Sequence, residues 1–301
     1  MNYLAFDVGG SAIKYGILDD QGNILCKDDF PTPKGDLQGL TTKMGEVHRK
    51  LSQQFPYEGV AVSIPGAPDN ATGYIDGASA LPYIHGPNIR EAITKEIDLP
   101  IYFENDAKCA ALGEVWRGVA KDYQDSLFIV IGSGIGGAVV KDKKIHHGAN
   151  LLAGEFGLLM MNYDFDTENF EIFSERGATA SLVNRVARYK GISKEGLTGK
   201  EIFQDAEAGD PDCIRAIKEF YEALAVGIYG LTYAFNPECI VLGGAISARE
   251  DIVECIREKL EIIKRNVKAD VATMNPPILR ASCAGDANMI GAVYNFMLHT
   301  T

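Results

Sequence analysis

Hydrophobic and polar positions change period repeatedly along the chain, and the changes outline an α/β protein. Tyr3 to Asp7 is a short apolar run of strand character, Gly9-Gly10-Ser11 a tight turn, and Ala12 to Leu18 a second strand. Asp19-Asp20-Gln21-Gly22-Asn23 supplies turn chemistry before a third strand from Ile24. Residues 37–54 read as helix, Gly59 to Ile64 as a buried strand running into the loop Pro65-Gly66-Ala67-Pro68, and Ile89 to Ile97 as helix. From Ser126 the opening plan returns: Leu127 to Ile131 is a strand, Gly132-Ser133-Gly134-Ile135-Gly136-Gly137 a glycine turn, Ala138 to Val140 a strand, and Ile145 another after a polar turn. The repetition predicts a duplicated two-domain fold with a central cleft. The expected division is residues 1–118 with a C-terminal helix 287–301 in a smaller α/β domain, and 119–286 in a larger one.

Further along, a polar segment reaches about Arg176 and a helix covers Ala178 to Tyr189. Thr198-Gly199-Lys200-Glu201 has capping-box spacing, and Asp210-Pro211 starts a long helix whose apolar residues, Ile214 and Ile217 through Leu231, recur at helical spacing to Phe235. Cys239 to Leu242 is a strand, Gly243-Gly244-Ala245 a turn, Ile252 to Ile263 a helix, Ile278 to Ala281 a last strand, and a terminal helix starts at Ala287.

Composition narrows the class. With 29 basic against 41 acidic residues the net charge is −12, which opposes general attraction to nucleic acid or anionic lipid. No apolar run is long enough to span a membrane and no signal-peptide pattern opens the chain, so a cytoplasmic protein is expected. The six cysteines are scattered without the close spacing of a metal clip or redox motif, and read as small core residues.

Candidate chemistry centres on Ile101-Tyr102-Phe103-Glu104-Asn105-Asp106-Ala107, where a strand-like run turns into an alanine-rich helical one. A carboxylate at such a junction is favoured by the helix's unpaired N–H groups; Asp106 either caps the helix or accepts a proton from a substrate hydroxyl. Each glycine turn lets backbone N–H groups close on an anion, because glycine lacks the Cβ that would hold a ligand off. Facing each other across a cleft, two such turns would cradle a polyphosphate. Neither is a Walker loop or a dinucleotide fingerprint. Asp7, ending the first strand, is suited to holding Mg²⁺ through water.

The motifs resemble those of the ROK family of sugar kinases and repressors, within the actin-like ATPase (ribonuclease H-like) fold. Asp7-Val8-Gly9-Gly10-Ser11-Ala12-Ile13-Lys14 is similar to that family's first phosphate motif and Gly132 to Gly137 to its second. Glu104-Asn105-Asp106-Ala107 resembles its catalytic segment, Gly148-x-Asn150-x-x-Ala153-Gly154-Glu155-x-Gly157 its sugar-binding signature, and Asn236-Pro237 with Gly243-Gly244-Ala245 its adenosine segment. The resemblance implies an ATP- and Mg²⁺-dependent hexose kinase with Asp106 as general base and Gly66, Asn105 and Glu155 lining the sugar site. ATP would meet Asp7, Gly9, Gly10, Ser11, Lys14, Gly132, Ser133, Gly134, Gly136, Gly243 and Gly244. A homodimer is also implied, with a small-molecule sugar as the partner and neither nucleic acid nor membrane. Where most members carry a zinc-binding His and a cysteine cluster, this chain has Leu158 and no cysteine over 162–176, so no zinc site is expected. Glu171 is the nearest counterpart of the Glu that follows that cluster. The zinc-free layout resembles β-glucoside kinases, which makes a β-glucoside one expected substrate, beside glucose and an amino sugar such as N-acetylmannosamine. A sugar-responsive repressor would need an N-terminal helix-turn-helix and a basic face, and a sugar-binding regulator would not need Asp106.

Overall fold

The computed structural model describes residues 1–267 and 274–300. In chain order the elements are β1 (Asn2–Val8), β2 (Ala12–Asp19), β3 (Ile24–Pro31), α1 (Leu37–Leu51), β4 (Val60–Ile64), β5 (Ala67–Pro68), β6 (Ile75–Asp76), α2 (Ile89–Thr94), β7 (Ile101–Asn105) and α3 (Asp106–Arg117). Then follow β8 (Ser126–Ile131), β9 (Ile135–Lys141), β10 (Lys144–Ile145), β11 (Met160–Asp164), β12 (Asn169–Ile172), α4 (Phe173–Gly177), α5 (Thr179–Lys190), α6 (Gly199–Glu207) and α7 (Pro211–Phe235). The last are β13 (Cys239–Gly243), α8 (Ile252–Asn266), β14 (Ile278–Arg280) and α9 (Ala287–Thr300). No helix among the described residues is long and apolar enough to cross a membrane.

Two compact units result. The first comprises Met1–Asp122, Lys143–Ala153 and Ser282–Thr301, the second Tyr123–Asp142 and Gly154–Ala281. Residues 143–153 thus lie with the first unit, where the division expected from sequence puts them in the second half.

In the first unit the strands run in the order β3-β2-β1-β4-β7, with antiparallel β3-β2-β1 continued by parallel β4 and β7. Alternate residues of β1 serve opposite faces. Leu4, Phe6 and Val8 join Leu40, Met44 and Ile93 of α1 and α2, while Tyr3 and Ala5 meet Cys109, Met289, Val293 and Phe296 of α3 and α9. That second face is why the C-terminal helix returns to the first unit. Close approach of α3 and α9 depends on two glycines: a Cβ on Gly291 would lie 1.8 Å from the carbonyl oxygen of Cys109, and one on Gly113 2.5 Å from that of Ala287.

The strands of the second unit follow the same plan, β9-β8-β13-β14, with antiparallel β8 and β9 continued by parallel β13 and β14. Its core draws Leu127, Ile129 and Ile131 from β8 against Phe220, Leu224 and Ile228 of α7 and Ile252 and Ile256 of α8. Local chemistry sets the helix starts: Thr198 and Glu201 close a capping box on α6, and Asp210 accepts from the amides of Asp212 and Cys213 ahead of Pro211 in α7.

Two segments depart from the sequence reading. Residues 160–172, read only as polar, form the β11–β12 hairpin, whose rings Tyr163, Phe165 and Phe170 face outward and so lack the inward alternation that marks a strand. Ile214, counted in the apolar rhythm of α7, is exposed.

Candidate functional site

Most of the candidate residues of the first unit gather at the ends of β1 and β7. Asp7 stands opposite Lys14 in the β1–β2 pair, on either side of the Gly9-Gly10-Ser11 turn. The turn is held by Gly9 N–H donating to Ala12 O at 3.1 Å and by Thr32, whose Oγ1 donates to Gly9 O at 2.7 Å. Both donors to the Asp7 carboxylate, Ser63 Oγ at 3.0 Å and Asn288 Nδ2 at 2.9 Å, meet Oδ1. Lys14 Nζ donates to Gly285 O at 3.0 Å.

At the β7–α3 junction the two adjacent candidates have separate tasks. Asn105 is the N-cap: its Oδ1 accepts from the amides of Ala107 at 2.9 Å and Lys108 at 3.2 Å, and its Nδ2 donates to Gly66 O at 2.9 Å. Asp106 is the first residue of the helix and the only acidic residue of its first turn, with Oδ1 accepting from Ala107 N–H at 2.8 Å. Gly66 has φ +95°, a region glycine adopts freely, and a Cβ there would press on Ile75, Asp76 and His85.

Two further residues meet at this edge, Glu104, which has no role of its own in the motif, and His147, which belongs to none. Glu104 is buried, and its Oε1 accepts from Asn105 N–H at 2.7 Å. Oε2 lies 2.7 Å from Nε2 of His147, which is the donating nitrogen because a carboxylate accepts. Buried Lys108 donates from Nζ to Leu151 O at 2.6 Å. These two bonds tie the loop 147–153 to the strand end that carries Asn105 and Asp106.

In the second unit the β8–β9 turn is closed by Gly132 N–H donating to Gly134 O at 2.9 Å, and Ser174 Oγ accepts from Ile135 N–H at 2.9 Å. Neither Gly132 nor Gly134 has a positive φ, and a Cβ on them would come no nearer than 3.9 and 3.6 Å to other protein atoms. The fold itself would accept alanine there. Gly136 pairs with Val130 inside the sheet, and Gly244, at φ +87°, abuts the backbone of Ile131, so the fold itself calls for glycine at 244. Gly243 ends β13 beside Phe128.

Ser133 opens into a cavity of about 450 Å³ that Glu171, Ser174, Arg176, Arg185 and Arg188 also line. Burial raises the Glu171 carboxyl, but the Asn162 amide and Arg176 guanidinium outweigh it and hold Glu171 below the ordinary carboxylate range. Glu155 is exposed at the head of a short 3₁₀ turn over Phe156–Leu158. The sugar-binding signature is therefore shared out, residues 148–153 to the first unit and 154–157 to the second. Among the described residues one group has metal-ligand proximity, Asp205, Asp210 and Cys213, and there Lys190 Nζ sits 3.5 and 2.8 Å from the two carboxylates, so the chain supplies the cation.

A meander closed by a glycine turn and continued by parallel strands, present in both units, defines the actin-like ATPase class of two-domain α/β proteins. Within that class, the ROK family profile matches residues 3–297, and the chain belongs to the ROK family. It is 31% identical over 299 residues to a β-glucoside kinase of Listeria innocua, covering 99% of this chain and 98% of that one. A glucokinase of Halalkalibacterium halodurans is 30% identical, with 96% and 93% covered. The crystal structure of a ROK family protein from Streptococcus pneumoniae in complex with sucrose superposes with a TM-score of 0.88 at 33% identity, covering 99% of both chains.

Proposed function

We propose that this ROK sugar kinase transfers the γ-phosphoryl group of ATP to the 6-hydroxyl of a glucose-type hexose, free or as a β-glucoside, with Asp106 as general base. The observation that carries the reading is the division of labour at the β7–α3 junction. Asn105 caps α3, so the helix start has no need of the Asp106 carboxylate for that purpose. An ionised carboxylate in the first turn is stabilised by the helix dipole and is of the type that accepts a hydroxyl proton.

As the proton passes to Asp106, the sugar oxygen bonds to the γ-phosphorus and the bond to the β,γ-bridging oxygen breaks, leaving ADP. Gly66, positioned by Asn105, and Asn105 itself through its second amide hydrogen offer partners to sugar hydroxyls, as do Glu155 and Glu171 in the second unit. Buried hydroxyls need such partners, so a polar lining selects a sugar over an apolar ligand.

For the phosphates, the support is Gly132 and Gly134: the fold does not require their missing Cβ atoms, whereas a closely approaching anion does. Ser133 lies in the same turn, beside a cavity whose lining mixes Arg176, Arg185 and Arg188 with Glu171, Glu175 and Glu219. The turn Gly9-Gly10-Ser11, Lys14 and, for the nucleoside end, Gly243 and Gly244 complete the set. Mg²⁺, when bound, neutralises charge on the phosphates; Asp7, oriented through Oδ1 by Ser63 and Asn288, would hold it through water. A cytoplasmic homodimer belongs to the same proposal.

The test is ADP release in a coupled assay over glucose, β-glucosides including cellobiose, N-acetylglucosamine and N-acetylmannosamine. Turnover on glucose or a β-glucoside is expected. Preference for an amino sugar would overturn the choice of hexose, and sugar binding without ADP release would make the chain a regulator instead.

A further inference from the structure

Past β6 the chain runs through residues 77–81 into a short 3₁₀ turn over Pro82–Ile84 and reaches His85, all within the first unit. Leu81 and Ile84 are buried in the core of that unit, and Tyr83 Oη donates to Pro33 O at 2.9 Å, so this end of the stretch is anchored by packing. Residues 77–80 are held differently: among the described residues they make no backbone–backbone hydrogen bond. A segment of that kind is ordered only by what its side chains reach. Here that side chain is Ser79.

Ser79 Oγ lies 2.8 Å from Nε2 of His85, and Nδ1 of the same ring lies 3.2 Å from Ile75 O. A carbonyl only accepts, so Nδ1 carries the hydrogen; in the neutral ring Nε2 then accepts, and Ser79 donates to it. The hydroxyl oxygen in turn accepts from Leu81 N–H at 3.1 Å. The bonds therefore run one way, from Leu81 through Ser79 and His85 to β6. Both side chains are half-buried. A single bond between two such groups adds little to a unit that Leu81 and Ile84 already fasten to its core.

Its effect is on two neighbouring glycines. A Cβ on Gly66 would lie 2.9 Å from Cε1 of His85, so the ring is a wall against that residue, whose carbonyl Asn105 holds. Ala80, next to Ser79, has its Cβ 3.1 Å from where a Cβ on Gly10 would stand. The stretch thus touches the Gly66 loop at one end and the Gly9-Gly10-Ser11 turn at the other, and that turn has its own bonds from Ala12 and Thr32. Without Ser79 the imidazole keeps Ile75 O alone and can turn about its side-chain bonds. We infer that Ser79 and His85 are positioning residues of the sugar site, the hydrogen bond between them keeping the imidazole in place against Gly66. The inference rests on the proposed role of Gly66 in lining that site.

Calorimetric titration of the full chain with each sugar of the coupled panel, paired with ADP release, tests this. Ser79→Ala and His85→Ala should each raise Kd and KM for the preferred sugar at least about fivefold, the scale of one neutral hydrogen bond, with kcat and KM for ATP within about twofold and Tm within about 2 °C of the parent. The double variant should match His85→Ala, because Ser79 acts through the ring. Ser79→Thr keeps the hydroxyl and should recover most of the affinity. Sugar affinity unchanged in both alanine variants, or single effects that multiply in the double variant, would overturn the inference. So would equal losses in Ser79→Thr and Ser79→Ala, or a kcat that falls in step with Tm, since a merely structural contact gives those. Any of these results in a chain whose parent turns sugar over leaves the kinase proposal standing. A parent that binds no sugar would instead fail the reading of the site, and this inference with it.

Discussion

Asn105 and Asp106 are neighbours whose replacement should produce opposite signatures. Asn105→Ala removes the acceptor for the Ala107 and Lys108 amides and the donor to the Gly66 carbonyl. An N-cap deletion costs about 1 kcal/mol and a lost hydrogen bond to a carbonyl about another, so the loss is about 2 kcal/mol. For 301 residues that lowers Tm by about 3 °C. Turnover should fall as well, because Gly66 loses its anchor. Asp106→Asn keeps the shape and an oxygen at the Oδ1 position, and gives up the favourable placement of a charge in the first turn, ~0.3–1 kcal/mol. Its Tm should stay within about 2 °C of the parent. As the proposed base it should nevertheless lose about a hundredfold to ten-thousandfold in kcat. Differential scanning fluorimetry gives the first quantity, and ADP release at saturating sugar and ATP the second. If Asp106→Asn turns over normally, or if it is the variant that melts early while Asn105→Ala does not, the two roles have been assigned the wrong way round.

Gly134→Ala should fold with an unchanged Tm but raise KM for ATP, whereas Gly244→Ala, which forces a Cβ to within 2.2 Å of Ile131 O at a φ of +87°, should lower Tm measurably; equal thermal effects would remove the distinction between the two glycines. His147→Ala leaves buried Glu104 without its side-chain partner, which costs about 1–3 kcal/mol, and it loosens the loop 147–153. A lower Tm and a KM for sugar raised more than kcat is lowered are expected, with partial recovery in His147→Gln; an unchanged KM would refute the positioning role. Asp210 is held down to about 2 from its ordinary 3.8 chiefly by the hydrogen bond from Lys190. Its folded pKa is depressed, so its contribution to stability is complete above about 4 and is lost as pH falls through about 2. Denaturant midpoints should therefore decline over that window more steeply in the parent than in Asp210→Asn, and parallel curves would deny the linkage.

The duplicated strand–turn–strand plan was legible because both copies bury apolar runs bounded by glycine, and the long helix because Asp210-Pro211 opens it and Asn236 closes it in the left-handed conformation. The β11–β12 hairpin was not, since its aromatic residues are outward and its turn is held locally by Asp164 accepting from the Asp166 and Thr167 amides. At the site, Asp106 was visible as a carboxylate at a strand-to-helix junction, but whether it or Asn105 capped the helix depended on which side chain turned back onto the Ala107 and Lys108 amides. The link between Glu104 and His147 spans a separation of 43 residues and has no local signature. Nor has the place of 143–153 in the first unit, to which that link and the bond from Lys108 to Leu151 also connect it.

Glycines show most directly what folding alone can account for. Gly113 and Gly291 admit two helices to contact, and Gly244 admits a strand end against Ile131; at each the protein's own atoms explain the residue. Gly132 and Gly134 differ, because neither backbone angle nor packing calls for them. A chain that gives up side-chain packing at an exposed turn, and accepts extra backbone entropy to do so, gains nothing in the unliganded fold. On the proposed function the compensation comes from a ligand that approaches the backbone closely at this turn, which opens on a cavity lined by Arg176, Arg185 and Arg188 together with Glu171, Glu175 and Glu219.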